Sequence, residues 1–393
     1  MTRHLPAAIA ILALASPAFA QKVTTVSGLT GQQVLSQMSD GAATGVGEAI
    51  AVTAALEIAT EPLATSSGGF IFKLDPSTGL LARTTTTFGP SFTERALTSG
   101  EGRISIGANF SSTSFNKLGD FSLSSLPLAS IKSSGLTATG TYAITEQTVN
   151  LSTTVGVTDN VDVAVVVPLV SLKVSGSSTV FNASGVDTRL AQTDGVFSGL
   201  GDVSALAKMR VFRFAGTGIT DPGGVALLVN VRLPTGSRDN LRGLGITRAL
   251  VGGVFSMDRG RVRPHANAGF EYWTKGLSFA GSDGQNITIR HQVQYAGWVE
   301  IEAAPKLTII VDYLGQRILG GGQIGVVSET PASGLATDAL SLLPNAINKM
   351  YLAPGMKVNL KGKMLLSLNA LVTMKNNGLH ARVTPMVGLI LSM

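Results

Sequence analysis

Apolar side chains occupy every second position over long stretches of this chain, from about Arg103 to Met393. Between Val262 and Thr274, valine, proline, alanine, phenylalanine and tyrosine alternate with arginine, histidine, asparagine, glycine, glutamate and tryptophan. A period of two places the two sets of side chains on opposite faces of a β-strand. The pattern therefore predicts strands with one apolar face and one polar face.

The alternation predicts twelve strands, joined by connections that are alternately short and long. The predicted strands are 103–114, 146–157, 161–175, 202–213, 223–235, 247–257, 262–274, 287–302, 306–317, 347–359, 363–374 and 380–393. The longer connections are 115–145, 176–201, 236–246, 275–286 and 318–346. This asymmetry is typical of outer-membrane barrels, which have short periplasmic turns and long outer loops. We predict an all-β fold, a closed antiparallel transmembrane β-barrel of about twelve strands (roughly 10–14) with a partly helical N-terminal segment.

The N-terminal part of the chain lacks this alternation. Residues 1–20 have the polar start, short apolar stretch and Ala18-Phe19-Ala20 site of a signal peptide, so we expect cleavage after Ala20 and export to the outer membrane. Apolar spacing predicts a helix over Val46–Thr60, ending before Pro62. We assign 21–101 to an N-terminal periplasmic or plug segment and 102–393 to the barrel.

Composition excludes several other classes of protein. The chain has no cysteine, so disulfide frameworks and thiol chemistry are absent. Charged residues make up 14% of the chain and its mean hydropathy is +0.31. No uninterrupted apolar run long enough for a spanning helix follows Ala20, which favours strands. The net charge is +6, and the basic residues are spread along the chain without forming a block. We therefore expect no nucleic-acid partner.

The alternative fold is a secreted β-sandwich or solenoid, whose strands also alternate. Long strands and lipid faces nearly free of charge favour the barrel, because a Lys or Arg at mid-membrane costs roughly 2–4 kcal/mol. The sequence predicts no catalytic residues, no cofactor and no metal site. Three histidines follow the signal peptide, His265, His291 and His380, and none lies in a known catalytic or metal-binding motif.

The polar faces of the strands are expected to line the lumen. Alternation assigns ten candidate lumen-lining residues: Lys208, Arg210, Arg232, Arg263, His265, Glu271, Trp273, Arg290, Trp298 and Asp312. Charges of both signs predict little net ion selectivity. Mutual pairing of these charges and direct contact with a solute are both open interpretations.

Two further features concern loops and strand prolines. The glycines of Gly320-Gly321-Gly322-Gln323-Ile324-Gly325 match a nucleotide-binding pattern formally, but their setting predicts a flexible hairpin tip. Further along, the apolar residues between Leu335 and Leu343 fit one helical turn over the pore, although an ordinary packed loop is the commoner outcome for such a stretch. Pro168, Pro354 and Pro385 lie within predicted strands, where each removes a ladder hydrogen bond and indicates an edge or bulge.

Several segments carry a family resemblance. They are Gly199-Leu200-Gly201-Asp202, then Val229-Asn230-Val231-Arg232-Leu233-Pro234-Thr235-Gly236, and His265-Ala266-Asn267-Ala268-Gly269-Phe270. With them the chain resembles the outer-membrane transporters named after the meta-pathway of phenol degradation, a group similar in outline to long-chain fatty-acid transport barrels. The chain departs from the family pattern in two places. After Gly236 the usual acidic residue is displaced by Ser237-Arg238 and follows only at Asp239, and the chain ends in Met393 where such barrels commonly end in an aromatic residue.

The resemblance implies passage of small hydrophobic or aromatic solutes across the outer membrane, and it carries over no substrate residues. We therefore expect a channel or transporter that is not an enzyme. Its expected partners are the lipid bilayer, a small-molecule solute and, during insertion, the barrel-assembly machinery. The alternative is a structural or adhesive surface barrel with a sealed lumen and partner-binding outer loops.

Overall fold

The computed structural model describes residues 28–39, 45–62, 69, 71–74, 81–185, 187–216, 220–280, 286–329 and 336–393. The predicted signal peptide and its cleavage site lie outside these residues. Helix α2 covers Val46–Thr60, as the apolar spacing predicts, and it is preceded by helix α1 over Gly31–Ser39, which was not predicted. Neither described helix is long and apolar enough to cross a membrane.

The described strands pair only with antiparallel neighbours. Their bounds are β1 Phe72–Leu74, β2 Leu81–Arg83, β3 Ile104–Phe115, β4 Lys117–Leu118, β5 Phe121–Ser122, β6 Leu126–Ile131, β7 Leu136–Thr158, β8 Val161–Phe181, β9 Asp187–Leu200, β10 Ser204–Arg213, β11 Gly223–Arg232, β12 Arg248–Met257, β13 Val262–Trp273, β14 Leu277–Ala280, β15 Asn286–Ala304, β16 Leu307–Glu329, β17 Thr337–Lys361, β18 Met364–Asn376, β19 Leu379–His380 and β20 Val383–Ser392.

Twelve of these strands close into one barrel. Their order around the barrel is β3, β7, β8, β10, β11, β12, β13, β15, β16, β17, β18 and β20, and β20 pairs with β3. Ile104 and Met393 exchange two backbone hydrogen bonds of 3.3 and 2.7 Å at this seam. The predicted closed antiparallel barrel is confirmed, and each predicted strand overlaps one barrel strand.

The outside of the barrel is apolar. On β13, Val262 and Phe270 are 39% and 45% exposed, whereas Arg263 and Glu271, which directly follow them in the chain, are buried. Exposed large apolar side chains recur on the outward positions of other barrel strands, such as Val251 and Ile309. A closed barrel pairs its backbone groups internally and can therefore stand in hydrocarbon. The molecule is an outer-membrane-type β-barrel, with short turns at one end (the turn end) and long connections at the other (the loop end).

Several predicted outer loops are wrong because the strands continue through them. β8 runs to Phe181 and pairs there with β9, while β16 and β17 remain paired up to Glu329 and Thr337. Strands β4 to β7 likewise occupy much of 115–145. Beyond the membrane, both faces of a strand can carry Ser, Thr and Gly. The apolar period then disappears while the ladder hydrogen bonds persist.

The three consecutive glycines form a bulge inside β16, so the predicted hairpin tip at this position is wrong. Gly320, Gly321 and Gly322 have φ angles of 89°, 143° and 99°, and the register shifts between Ile318 and Gly322. A side chain at Gly320 would meet the Thr288 carbonyl oxygen at 2.2 Å. Neither a packed loop nor a helical turn forms at Leu340 and Leu343, because both residues lie in β17; Leu335 is outside the described residues.

The strand prolines leave the register unchanged. Pro168 lies opposite Asn150 and Pro385 opposite Ala370, with continuous pairing on both sides. At Pro354 the ladder to β18 has a gap, but the pairs that flank it keep the same register. The bulges expected at these prolines are therefore not formed.

Candidate functional site: the filled lumen

The structure buries eight of the ten predicted side chains in the barrel interior. They are Lys208, Arg210, Arg232, Arg263, His265, Glu271, Trp273 and Asp312, each at most 8% exposed. The Trp298 side chain lies outside the described part of the structure. These groups do not border an open channel, because chain from the N-terminal segment covers them.

The prediction that Arg290 lines the lumen is wrong, because Arg290 is exposed on the outside of the barrel. A bulge lies between Arg290 and Gln292, with His291 at φ 60°. The extra residue reverses the alternation above it, so Ile289 points inward and is fully buried. Alternation counted from the turn-end part of β15 ignores this bulge and therefore assigns Arg290 to the wrong face.

Residues 84–99, here called the plug segment, run through the turn-end half of the lumen. All of them except Thr86 and Phe92 are buried. Wall side chains accept hydrogen bonds from the backbone N–H groups of the plug segment. These bonds run from Gly89 to Glu300 (3.0 Å), from Ser91 and Phe92 to Asp312 (3.0 and 3.1 Å), and from Ser99 to Asp162 (3.0 Å). A segment outside the strand ladders thus has several of its backbone donors satisfied by wall carboxylates.

Buried ion pairs add to these contacts. The Lys208 Nζ atom lies 3.0 Å from Glu94 Oε2 of the plug segment and 3.7 Å from Asp162 of the wall. Lys357 Nζ donates to the Pro90 carbonyl oxygen at 2.6 Å. Breaking a buried pair leaves an unpaired charge in a poorly solvated site. The plug segment is therefore matched in charge to this wall.

His265 lies within the same network. Its Nε2 atom is 2.9 Å from Asp312 Oδ1, and its Nδ1 atom is 3.8 Å from Glu300 Oε1. Both carboxylates also accept backbone hydrogen bonds from the plug segment. His265 thus orients Asp312, one of the carboxylates that hold the plug segment, and lies beside a second, Glu300. No group of three or more potential metal-ligating side chains occurs among the described residues.

The C-terminal end of helix α2 reaches the middle of the barrel. Glu57 forms an ion pair with Lys349 and accepts hydrogen bonds from Tyr351 (3.0 Å) and Asn376 (3.1 Å). The Ala59 carbonyl oxygen accepts from Arg232 and Arg248, at 3.0 and 2.9 Å. Cations favour the C-terminal end of a helix, where carbonyl groups lack helical partners. Four wall strands thereby hold one end of α2.

Glu61 follows this helix end. The pKa of Glu61 is raised to about 7, chiefly by burial and then by the nearby Glu57 carboxylate, whereas a hydrogen bond from Thr113 and the charge of Lys349 oppose the shift. The Thr113 hydroxyl lies 3.4 Å from Glu61 Oε1. Burial likewise lowers the pKa of Arg95, and the Glu300 charge opposes this change. The carboxyl of Glu61 therefore titrates close to neutral pH.

The loop-end half of the interior is an apolar core. Side chains of α1 and α2, including Leu35 and Ile50, pack with Phe197, Trp273 and Ile289 of the wall. Trp273 is 1% exposed, and its indole N–H donates to Glu271 at 2.8 Å. Helix α2 is buried on almost every side, which explains its apolar sequence all round.

A cavity of about 140 Å³ lies between the plug segment and strands β8 to β16. Its lining combines apolar wall residues such as Leu206, Leu228 and Leu314 with polar and charged ones, among them Glu94 and Arg232. Two buried polar atoms that line it, Asn230 Oδ1 and Gln316 Oε1, have no hydrogen-bond partner within the described residues. An apolar cavity of about 150 Å³ is large enough to hold benzene. The space thus suits one small, largely apolar molecule.

The alternation could not find the N-terminal partners of these wall groups. Glu57, Glu94, Arg95 and the wall residue Arg248 are buried contact residues outside the predicted set. One signal was present in the plug segment, where Glu94 and Arg95 are its only charged residues among many threonines and serines. Such an isolated pair of opposite charges indicates buried partners elsewhere.

No protein-family model and no curated protein matches the sequence. The resemblance to the phenol-degradation transporters stays a prediction. Solved structures with a similar fold include an outer membrane channel from Pseudomonas putida F1, with 12% identity, coverage of 76% of this chain and 98% of that chain, and a TM-score of 0.48. A FadL homologue of Pseudomonas aeruginosa has 10% identity, coverages of 85% and 96%, and a TM-score of 0.31. The monoaromatic hydrocarbon channel CymD has 7% identity, coverages of 75% and 89%, and a TM-score of 0.27.

Proposed function

We propose that this protein is an outer-membrane channel or transporter for small hydrophobic or aromatic solutes, closed by its own N-terminal segment. The observation that carries the proposal is the cavity of about 140 Å³ between the plug segment and the wall. Its lining combines apolar side chains with several amide groups and the charged Glu94 and Arg232, and small-molecule sites usually pair apolar surface with placed polar groups. Its size selects molecules of about one ring.

The contacts of the plug segment support its role as a movable closure. They are mainly hydrogen bonds and ion pairs, such as those of Glu94 with Lys208 and of the Ser91 N–H with Asp312. Water can replace such partners when the segment leaves, so the net cost of each hydrogen bond is only about 0.5–1.5 kcal/mol. Water cannot replace apolar packing partners in this way.

Single-channel current in planar bilayers tests the proposal. A variant without residues 28–99 should conduct, because this deletion removes α1, α2 and the plug segment from the lumen. Benzoate added to the bath should reduce the current by occupying the apolar lining, whereas acetate at the same concentration should not. A deletion variant that is folded, as judged by heat-modifiable gel mobility, but shows no current would contradict the channel.

The filled lumen also favours a second function, that of a structural or adhesive surface barrel. Here the carrying observation is the long ladder of β16 with β17, which continues to Glu329 and Thr337 at the loop end. Shortening this hairpin to Ile318 and Ile347 separates the two functions. Loss of cell attachment with unchanged solute uptake would favour the adhesive barrel, and the reverse result would favour the channel.

We also propose that export ends with cleavage after Ala20 and that the barrel-assembly machinery inserts the chain. The apolar stretch before Ala18-Phe19-Ala20 supports the first step, and the alternating C-terminal strand β20 supports the second. N-terminal sequencing of protein from the outer-membrane fraction should begin at Gln21.

A further inference from the structure

Four exposed cationic residues lie at the loop end of the barrel wall: Arg290 on β15, Arg317 on β16, Lys375 on β18 and Arg382 just before β20. We call them the outer cation patch. Their chain neighbours Ile289, Ile318, Asn376 and Ala381 are buried. Because neighbouring residues of a strand point to opposite faces, the four cations point away from the lumen.

The four residues lie at one level of the barrel. Strands of a barrel are tilted, so residues of equal height lie diagonally across the ladder rather than directly opposite each other. Arg290 is opposite Leu319, and Arg317 is two residues from Leu319 toward the turn end. Arg317 is opposite Asn348, and Lys375 is opposite Met350, again two residues toward the turn end. The backbone N–H of Thr373, two residues from Lys375 toward the turn end, donates to the Arg382 carbonyl oxygen at 3.0 Å. The same diagonal step therefore connects all four cations along the rim.

At this level the apolar outer surface of the barrel ends. Below Arg290 the outward residues of β15 are apolar or aromatic, including Val293, Tyr295 and Ile301. At the border, the rings of Tyr272 and His291 stack with centroids 4.9 Å apart. Aromatic girdles mark the membrane interfaces of outer-membrane barrels. The patch thus faces the headgroup layer of the outer leaflet.

None of the four side chains forms an ion pair with another residue that the structure describes. Arginine and lysine at an interface place their apolar stems along hydrocarbon and their charged ends in the headgroup layer. Charge-assisted hydrogen bonds to phosphate are the strong partners available there. Five adjacent strands at about 4.8 Å spacing make the patch roughly 20 Å wide, which exceeds the reach of one phosphate.

We propose that the outer cation patch binds the phosphate groups of lipid A, the multiply phosphorylated lipid of the outer leaflet. A headgroup with two phosphates matches a row of cations better than a phospholipid with one. The site lies on the outside of the wall and is independent of any solute passage through the lumen. It anchors the barrel in the outer leaflet.

Binding of lipid A to the purified full-length protein in detergent tests the proposal. The test variant combines Arg290→Gln, Arg317→Gln, Lys375→Gln and Arg382→Gln. The matched control combines Arg259→Gln, Arg261→Gln, Lys306→Gln and Lys361→Gln, which removes four exposed cations from the turn end. Probes are bisphosphorylated lipid A, lipid A without phosphates, and phosphatidylglycerol.

Each cation near an anionic lipid surface contributes about fivefold in binding, so the test variant should raise the Kd for bisphosphorylated lipid A at least about twentyfold. The control variant should change it less than about threefold, and lipid A without phosphates should bind the unmodified protein as weakly as the test variant binds the bisphosphorylated form. Equal weakening by both variants, or equal affinity for phosphatidylglycerol, would overturn the proposal. Heat-modifiable mobility checks folding, and Arg317→Gln alone replaces the test variant if that variant does not fold.

Discussion

The two halves of the lumen are closed by different kinds of contact. In the loop-end half, α1 and α2 form an apolar core with wall residues such as Trp273 and Ile289. In the turn-end half, the plug segment meets the wall through hydrogen bonds and ion pairs, such as that of Glu94 with Lys208. Water cannot replace an apolar contact that is broken, whereas the groups of a broken polar contact can form hydrogen bonds with water instead. We therefore expect the first half to supply stability, and under the proposed function the second half controls closure.

The largest expected effect follows from breaking the polar half at Lys208. Lys208→Met leaves Glu94 and Asp162 buried without their cation, which should cost about 3–5 kcal/mol of folding free energy and release the plug segment. Urea unfolding in lipid vesicles and single-channel current measure the two consequences. Lys306→Met, at an exposed turn position, is the matched control and should change stability by less than about 0.5 kcal/mol. Unchanged stability and current in Lys208→Met would remove the distinction between the halves.

The apolar half should respond differently to a cavity. Ile50→Ala in α2 removes a fully buried side chain and should lower the free energy of unfolding by about 3 kcal/mol, with no rise in current. Glu48→Ala on the exposed side of the same helix should have little effect on either quantity. A conductance increase in Ile50→Ala as large as that in Lys208→Met would show that both halves control closure equally.

A smaller effect is expected from Glu61, where the two halves join. Because the pKa of Glu61 is raised to about 7 in the folded protein, its contribution to stability is fully present below pH 4.5 and is lost as the pH rises through 7. Glu61→Gln keeps the side chain neutral. The variant should match the parent protein at pH 4 and exceed its stability at pH 8 by about 1–2 kcal/mol, allowing for partial solvent exposure.

Urea unfolding in lipid vesicles between pH 4 and 8 measures this difference. Glu101→Gln, at an exposed position near the start of the barrel, is the matched control for loss of a carboxylate. A stability difference between Glu61→Gln and the parent that stays constant across this pH range would contradict the assigned environment of Glu61.

Strand alternation was sufficient to predict the barrel, its twelve strands and the inward faces of residues such as Arg263 and Glu271. It failed where a backbone feature or the surroundings override the period. The bulge at His291 reverses the face of Arg290, and the glycines at 320–322 kink β16 instead of ending it. Neither event changes the local residue pattern enough to be read from one sequence.

The polar contacts of the lumen were harder to predict because their partners lie far apart in the chain. Ser91 and Asp312, for example, are 221 residues apart. The plug segment has neither helical nor strand periodicity, so its location inside the barrel depends on tertiary contacts alone. The connection between Phe214 and Pro222 was hard to predict for the same reason. Its Asp221 forms an ion pair with Arg210, but the connection has no strand alternation that would indicate this contact.

The central claim is that the plug segment closes the lumen and must move before solutes pass. A disulfide between Ser91→Cys and Asn369→Cys tests it most directly, because the Ser91 hydroxyl donates to the Asn369 amide oxygen and the chain has no other cysteine. Single-channel current should be present with reductant, absent after oxidation, and unaffected by oxidation in each single-cysteine variant. Equal current in the reduced and oxidised double variant would contradict the account.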